Sequence, residues 1–168
     1  MKKLFILIFI LILPNNLFAQ NQVIGTVTLA IGEIKTLDNR VLNAGDSIYF
    51  NETVIAGDNS KSQIILLDET VMMIGAGTEL TIDEFIYNPD NLKGKIITSI
   101  KQGSIKVLSG KISETNPEDL IIKTPAGTIG TRGTEFQALV DEEEGDSKIL
   151  LIGPGPNNTL GLRPGEVE

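Results

Sequence analysis

Three groups of residues in this chain have types and spacing that chemistry could use. The paired carboxylates Asp83 and Glu84 could supply the acid and base of a glycosidase, and the acidic run Asp141–Asp146 could bind calcium. Arg132, bracketed by glycines, could bind an anion. The chain has no His and no Cys, which excludes imidazole-dependent catalysis, thiolate zinc sites and disulfides.

The spacing of the pair Asp83-Glu84 and of the run Asp141–Asp146 argues against a catalytic site and against a calcium site. Neighbouring residues of a strand point to opposite sides, so Asp83 and Glu84 are not expected to face each other across a cleft. The run Asp141–Asp146 lacks the ligand spacing of a calcium-binding loop, and we predict a solvated hairpin loop between Gln137–Val140 and Ser147–Ile152. We therefore predict that the protein is not an enzyme and holds no cofactor and no metal.

Composition restricts the class of partner. The 168 residues include 14 Lys and Arg against 22 Asp and Glu, a formal net charge of −8. An acidic chain lacks the basic patch by which nucleic acids are bound, so no nucleic-acid partner is expected. The hydrophobic share of 41% is typical of a folded domain.

Residues 1–19 have the three-part pattern of a secretory signal peptide. Lys2 and Lys3 precede the apolar run Leu4–Leu13, and Ala19 offers a small residue for cleavage. The alternative is a membrane anchor, but ten apolar residues span only about 15 Å as a helix, roughly half of the hydrocarbon core. We expect cleavage near Ala19, a periplasmic or secreted protein, and no membrane span in the mature chain.

The remaining chain has the pattern of an all-β domain. The 17 Gly and 7 Pro residues separate short runs rich in branched side chains, such as Ser62–Leu67, Val71–Ile74 and Lys95–Ile100. We predict one domain over residues 20–152, with short strands arranged in a sandwich or a solenoid-like roll. Residues 153–168 are predicted to form a Gly/Pro-rich loop or a partial edge strand, and the alternative is that the chain is cut short of its natural end.

Turn residues predict where these strands reverse. Asp38-Asn39 and Asp68-Glu69 are each expected to form a two-residue hairpin tip, and Gln102-Gly103 is expected to break a strand. A two-residue tip requires positive φ at both positions, which Glu69 tolerates poorly. The substitution Glu69→Gly is therefore predicted to raise the melting temperature slightly.

The order of the motifs from about Val23 to about Val140 resembles a FecR domain, a periplasmic β-module named after a regulator of ferric citrate uptake. The most specific motif is the thirteen-residue stretch Thr124–Phe136. The earlier motifs that contribute to the resemblance are Gly25–Val27, Leu42–Ile48, Thr53–Gly57, Ser60, Ser62, Asp68–Thr70, Gly75–Leu80, Gln102–Val107 and Ser109–Lys111.

The stretch Thr124–Phe136 contains the candidate site residues, which we expect to be structural. They are Thr124, Pro125, Gly130, Arg132, Gly133, Thr134 and Phe136. Pro125 fixes its own φ and so ends a strand at Thr124. The two glycines allow a sharp turn or a close approach on either side of Arg132, whose guanidinium is expected to brace loop carbonyls. The alternative is that Arg132 binds an anionic group.

Beyond this stretch, the strand that follows is expected to place Thr134, Phe136, Ala138 and Val140 on one face.

The resemblance implies the domain and not a transmembrane signalling role, and the function that we predict is an exported, non-enzymatic interaction module whose partner is an envelope or secreted protein. Regulators of this type also carry a cytoplasmic segment and a membrane span, which we do not expect before the signal peptide of this chain. One alternative is a periplasmic sensing or regulatory component linked to iron or other metal uptake. Another is carbohydrate or peptidoglycan binding, which would use exposed rings in Tyr49-Phe50 or Phe85–Tyr87.

Overall fold

A computed structural model describes residues 22–130, 135–141 and 147–152. The predicted signal peptide and the tail at 153–168 lie outside the described residues. Within these ranges the chain forms strands, one short helix and a 3-10 turn at Pro117–Asp119. The strands and the helix are β1 (Val23–Ile31), β2 (Ile34–Thr36), β3 (Ser47–Tyr49), β4 (Thr53–Ala56), β5 (Lys61–Leu66), β6 (Val71–Ile74), β7 (Glu79–Asn88), β8 (Lys93–Leu108), α1 (Lys111–Thr115), β9 (Leu120–Thr124), β10 (Gly127–Gly130), β11 (Glu135–Val140) and β12 (Ser147–Ile152).

The strands form one open, curled sheet, a half-barrel, and the prediction of a single all-β domain is confirmed. The sheet has two halves that share the long strand β8. Half-sheet I has the order β2-β4-β7-β8-β9-β10, and half-sheet II has the order β3-β1-β5-β6-β8-β11-β12. The β8–β9 pairing is parallel, and the other pairings between the described strands are antiparallel.

Strand β8 changes partners at Gln102-Gly103 without ending there, so the predicted break is wrong. Before this point it pairs with β7 and β9, and after it with β6 and β11. Gly103 has φ of +94°, and a Cβ at this position would lie 2.4 Å from the Cα of Thr78. The hydroxyl of Thr78 donates to the carbonyl of Ser104 and accepts from its N–H, both at 3.0 Å. Glycine is therefore required where the strand passes from one half-sheet to the other.

Alternating burial produces the core. Strands β5 and β6 bury every second residue, as expected for strands with one face covered. Side chains from both half-sheets form one hydrophobic cluster, including Ile64, Met72, Leu80, Ile96 and Phe136.

Two local predictions are corrected. The sequence offered no helix after the signal segment, yet α1 is helical over one short stretch and buries Ile112 in the core. Both hairpin tips contain three residues rather than two, at 37–39 and 67–69, because the residues flanking each loop are bonded to one another. Only the third loop residue of each, Asn39 and Glu69, has positive φ.

None of the helices in the described ranges is long and apolar enough to cross a membrane.

Candidate functional site

Half-sheet II carries a groove on the face that points away from the core, here called the lysine groove. It encloses about 680 Å³. Most of its lining comes from two rows of side chains, each made of residues that lie opposite one another on neighbouring strands. The two rows are two residues apart along each strand, so their side chains share one face of the sheet. The rows are Leu29, Gln63, Met73, Lys106 and Gln137, from β1 to β11, and Lys61, Gly75, Ser104, Leu139 and Lys148, from the start of β5 to β12.

The centre of the second row is low because Gly75 has no side chain. The N–H of Gly75 donates to the carbonyl of Ser104 at 3.0 Å. A Cβ on Gly75 would lie 2.3 Å from the hydroxyl oxygen of Ser104, so no larger residue fits without moving that side chain. The depression between the two ends of the row is therefore a consequence of two small residues side by side, Gly75 and Ser104.

Apolar side chains occupy outward positions along the groove. Leu29 is 40% exposed and Leu139 is 54% exposed, and Met73 is half-buried between them. An outward-facing position on a one-sided sheet is normally polar, and clustered apolar side chains on such a face mark an interaction surface.

Lysines flank this apolar strip in a chain that is acidic overall. The ammonium group of Lys106 forms an ion pair with the carboxylate of Glu135. Lys61 and Lys148 are exposed, and within the described ranges neither forms a salt bridge. The groove is thus a local positive region on a chain of net charge −8, which favours negatively charged ligands at this face.

The residues of the candidate motif are divided between the two half-sheets. Thr124 ends β9 as predicted, and its hydroxyl donates to the carbonyl of Gly127 at 3.1 Å, across a turn formed by Pro125 and Ala126. Phe136 lies on β11 and is fully buried in the core.

Gly130 ends β10, and no heavy atom of the described residues lies within 4 Å of a Cβ placed there. The structure therefore provides no close approach that would require glycine at this position. Arg132, Gly133 and Thr134 lie outside the described residues, so the bracing role of Arg132 stays a prediction. Phe136, Ala138 and Val140 share the buried face of β11, which confirms that part of the predicted alternation.

The two carboxylate groups occupy separate environments. A β-bulge at Asp83 shifts the register of β7, the Asp83 carboxylate accepts a hydrogen bond from Ser99 at 2.6 Å, and Glu84 lies 3.7 Å from the ammonium of Lys95.

The predicted hairpin around the acidic run is confirmed by the pairing of β11 with β12, while residues 142–146 lie outside the described residues. Among the described residues no group of three or more acidic side chains is placed to hold a metal.

The aromatic residues offer one strongly exposed ring within the described ranges, that of Phe50, which is 48% exposed. Tyr49 lies under the guanidinium of Arg40, 5.4 Å from the ring centroid. The hydrogen bond from Arg40 to Glu52, at 2.6 Å, raises the pKa of the guanidinium above its ordinary value. Phe85 is buried and Tyr87 packs against the core. Neighbouring exposed rings, which the carbohydrate alternative needs, are therefore not formed by these pairs.

Sequence reasoning missed the lysine groove. Its residues come from six strands and lie far apart in the chain, so no local motif joins them. One signal in the sequence could have indicated it, because the runs Ile64–Leu67 and Val71–Ile74 are apolar at consecutive positions. Such a run places apolar side chains on both faces of a strand, which is typical of a sheet whose outer face is also covered by a partner.

A family model described as FecR protein matches residues 52–152. Comparison with curated proteins and comparison with solved structures gave no match. The matched span is more than half of the chain and runs from just before β4 to the end of β12, so it includes most of the lysine groove. The chain belongs to the FecR protein family.

Proposed function

We propose that this chain is an exported, non-catalytic interaction module that binds a protein partner of the cell envelope through the lysine groove. The observation that carries the proposal is the apolar strip formed by Leu29, Met73 and Leu139 on a solvent-facing side of the sheet. Covering such a strip removes apolar surface from water, at about 25 cal/mol per Å². A partner surface is the ligand that this shape and chemistry fit best.

Export and a periplasmic or secreted location are part of this proposal. They are supported by the pattern of residues 1–19 and by the family assignment. The absence of catalysis is supported by the separation of Asp83 from Glu84, each of which is engaged by a different neighbour.

Site-specific photocrosslinking in the producing cell tests the proposal. A crosslinker placed at Met73 is expected to capture a protein adduct, which mass spectrometry identifies. The matched control is Thr81, a half-buried residue on the outward face of half-sheet I, whose hydroxyl lies 2.8 Å from that of Thr53. Adducts from Thr81 but not from Met73 would contradict the assignment of the binding face. Leu139→Glu is expected to abolish the Met73 adduct while leaving the fold intact, because Leu139 is exposed.

A second candidate is a sensing or regulatory role in metal-uptake signalling, which the family assignment favours. It requires that the captured partner be an envelope receptor or a membrane-spanning regulator. The identity of the Met73 adduct separates this role from a purely structural attachment to the envelope.

A further inference from the structure

We infer that the lysine groove binds an extended segment that carries an acidic side chain at each end and apolar side chains between them. The inference rests on the proposed function, and it adds the chemistry and the spacing of the ligand.

The spacing follows from the sheet. Lys61 and Lys148 stand at the two ends of one cross-strand row, with β6, β8 and β11 between their strands. Four steps between neighbouring strands, at about 4.8 Å each, separate the two lysines by about 19 Å along the sheet. An extended chain advances about 3.3 Å per residue, so two acidic residues about six positions apart would reach both ammonium groups.

The floor between the lysines suits the middle of such a segment. Met73 and Leu139 offer apolar contact, and the small residues Gly75 and Ser104 lie between the two lysines in the second row. Gln63 and Gln137 line the same floor, and their amides can donate to and accept from a peptide backbone. Residues at alternate positions of the segment would face this floor together.

Charge disfavours the other occupants. In a symmetric dimer formed through this face, the lysines of one copy would face those of the other, which is repulsive. A long polyanion would need a continuous basic track, but Lys106 is already paired with Glu135 and the floor is apolar. An acidic, apolar segment is the occupant that satisfies both the ends and the centre.

The probe is a capped seven-residue peptide with Glu at positions 1 and 7, Leu at positions 3 and 5, and Ser elsewhere. Its control has the same composition with the Glu and Leu positions exchanged, and both are titrated by calorimetry into the full mature chain. The first peptide is expected to bind about tenfold more tightly than the control, because only it reaches both lysines.

Variants of the lysines give the second readout. Replacing both Lys61→Gln and Lys148→Gln is expected to remove the tenfold preference, whereas Lys61→Arg with Lys148→Arg is expected to keep it. The matched control is Lys123→Gln, an exposed lysine on half-sheet I outside the groove, which is expected to change nothing. All three lysines are exposed, so the variants are expected to fold, and their melting curves verify this.

Four outcomes would overturn the inference. They are equal binding of the two peptides, a preference that survives in the double Gln variant, polyphosphate binding more tightly than the peptide, and self-association of the chain that disappears in the double Gln variant. If the Met73 crosslink to a partner persists while neither peptide binds, the ligand chemistry is wrong and the interaction module stands. If the peptide preference holds without any adduct at Met73, the ligand chemistry stands and the proposed envelope partner is wrong.

Discussion

The hairpin tips at 37–39 and 67–69 share a sequence pattern and a backbone conformation. Each begins Leu-Asp and ends in a residue with positive φ, 64° at Asn39 and 70° at Glu69. In each, the N–H of the residue before the loop donates a hydrogen bond to the carbonyl of the residue after it. The two loops nevertheless differ in the surroundings of their aspartates.

Asp38 is exposed, and its carboxylate accepts a hydrogen bond from the hydroxyl of Thr36. Asp68 is fully buried. Its carboxylate accepts from the N–H and the hydroxyl of Thr70, at 3.1 and 2.7 Å, and from the N–H of Ile112 at 3.4 Å. The first tip is a local turn, whereas the second anchors a distant segment of the chain.

The segment that the second tip anchors contains Gly110 and α1. The carbonyl of Asp68 accepts from the N–H of Lys111 at 2.8 Å, and the hydroxyl of Thr70 accepts from the N–H of Gly110 at 3.1 Å. Changing this turn sequence is therefore expected to lower the free energy of unfolding only slightly where the turn faces water. The loss is expected to be much larger where the polar groups of the turn satisfy buried donors elsewhere in the chain.

The largest effect is expected from a substitution at Gly110, which would fill the space that the second tip occupies. A Cβ at Gly110 would lie 2.3 Å from the carbonyl oxygen of Asp68 and 2.4 Å from the nitrogen of Thr70. Gly110→Ala is expected to lower the free energy of unfolding by about 3 kcal/mol, measured by urea denaturation. Gly130→Ala is the control, expected to change it by less than about 0.5 kcal/mol. Equal effects would show that Gly110 is free to move.

The next effect compares the two aspartates directly. Asp68→Ala leaves the buried donors of Thr70 and Ile112 without their acceptor and is expected to cost about 2 kcal/mol of stability. Asp38→Ala, at the exposed tip, is expected to lower the melting temperature much less. Similar shifts for the two variants in thermal unfolding would remove the distinction between a local and an anchoring tip.

A smaller effect concerns the positive φ that the tips share. Glu is poorly suited to this conformation and Asn tolerates it, so Glu69→Gly is expected to raise the melting temperature by about 2 °C. Asn39→Gly is expected to leave it nearly unchanged. The ion pair of Glu69 with Lys111, at 3.4 Å, is exposed and contributes little. A lower melting temperature for Glu69→Gly would show that this ion pair outweighs the backbone strain.

The smallest effect is a dependence on pH at the exposed tip. The hydrogen bond from Thr36 lowers the pKa of Asp38 below its ordinary value of 3.8. A lowered pKa in the folded state stabilises the protein above the ordinary value, and this contribution is lost as the pH falls through the folded value. Asp38→Asn is therefore expected to melt slightly below the parent at pH 6, and the difference is expected to shrink as the pH falls through the lowered pKa of Asp38. A constant difference across this range would contradict the assignment.

Local chemistry predicted the positions of both tips but not their length. Asp, Asn and Glu at these positions mark a turn, whereas the loop length depends on which flanking residues bond across it. The helix α1 was missed for a related reason. Lys111–Thr115 is too short for a periodic pattern, and its burial comes from packing against β8 and the second tip.

The family motif and the lysine groove show the same division between local and distant signals. The strand end at Thr124 followed from Pro125, because proline restricts its own backbone and the residue before it. The groove required knowing that β5, β6, β8, β11 and β12 are neighbours in that order. The sequence does not contain that order in any short stretch.

Strand β8 has a consequence for the order in which the fold can be completed. The two half-sheets are joined through residues 93–108, which leave the ribosome only after most of the paired strands of both halves. The chain before Lys93 already contains two sets of paired strands, β3-β1-β5-β6 and β2-β4-β7, but the strand that joins the two sets follows both. Such long-range closure is slow. A nascent chain stopped before Lys93 would therefore hold two unconnected sets of strands, each with one edge still waiting for β8.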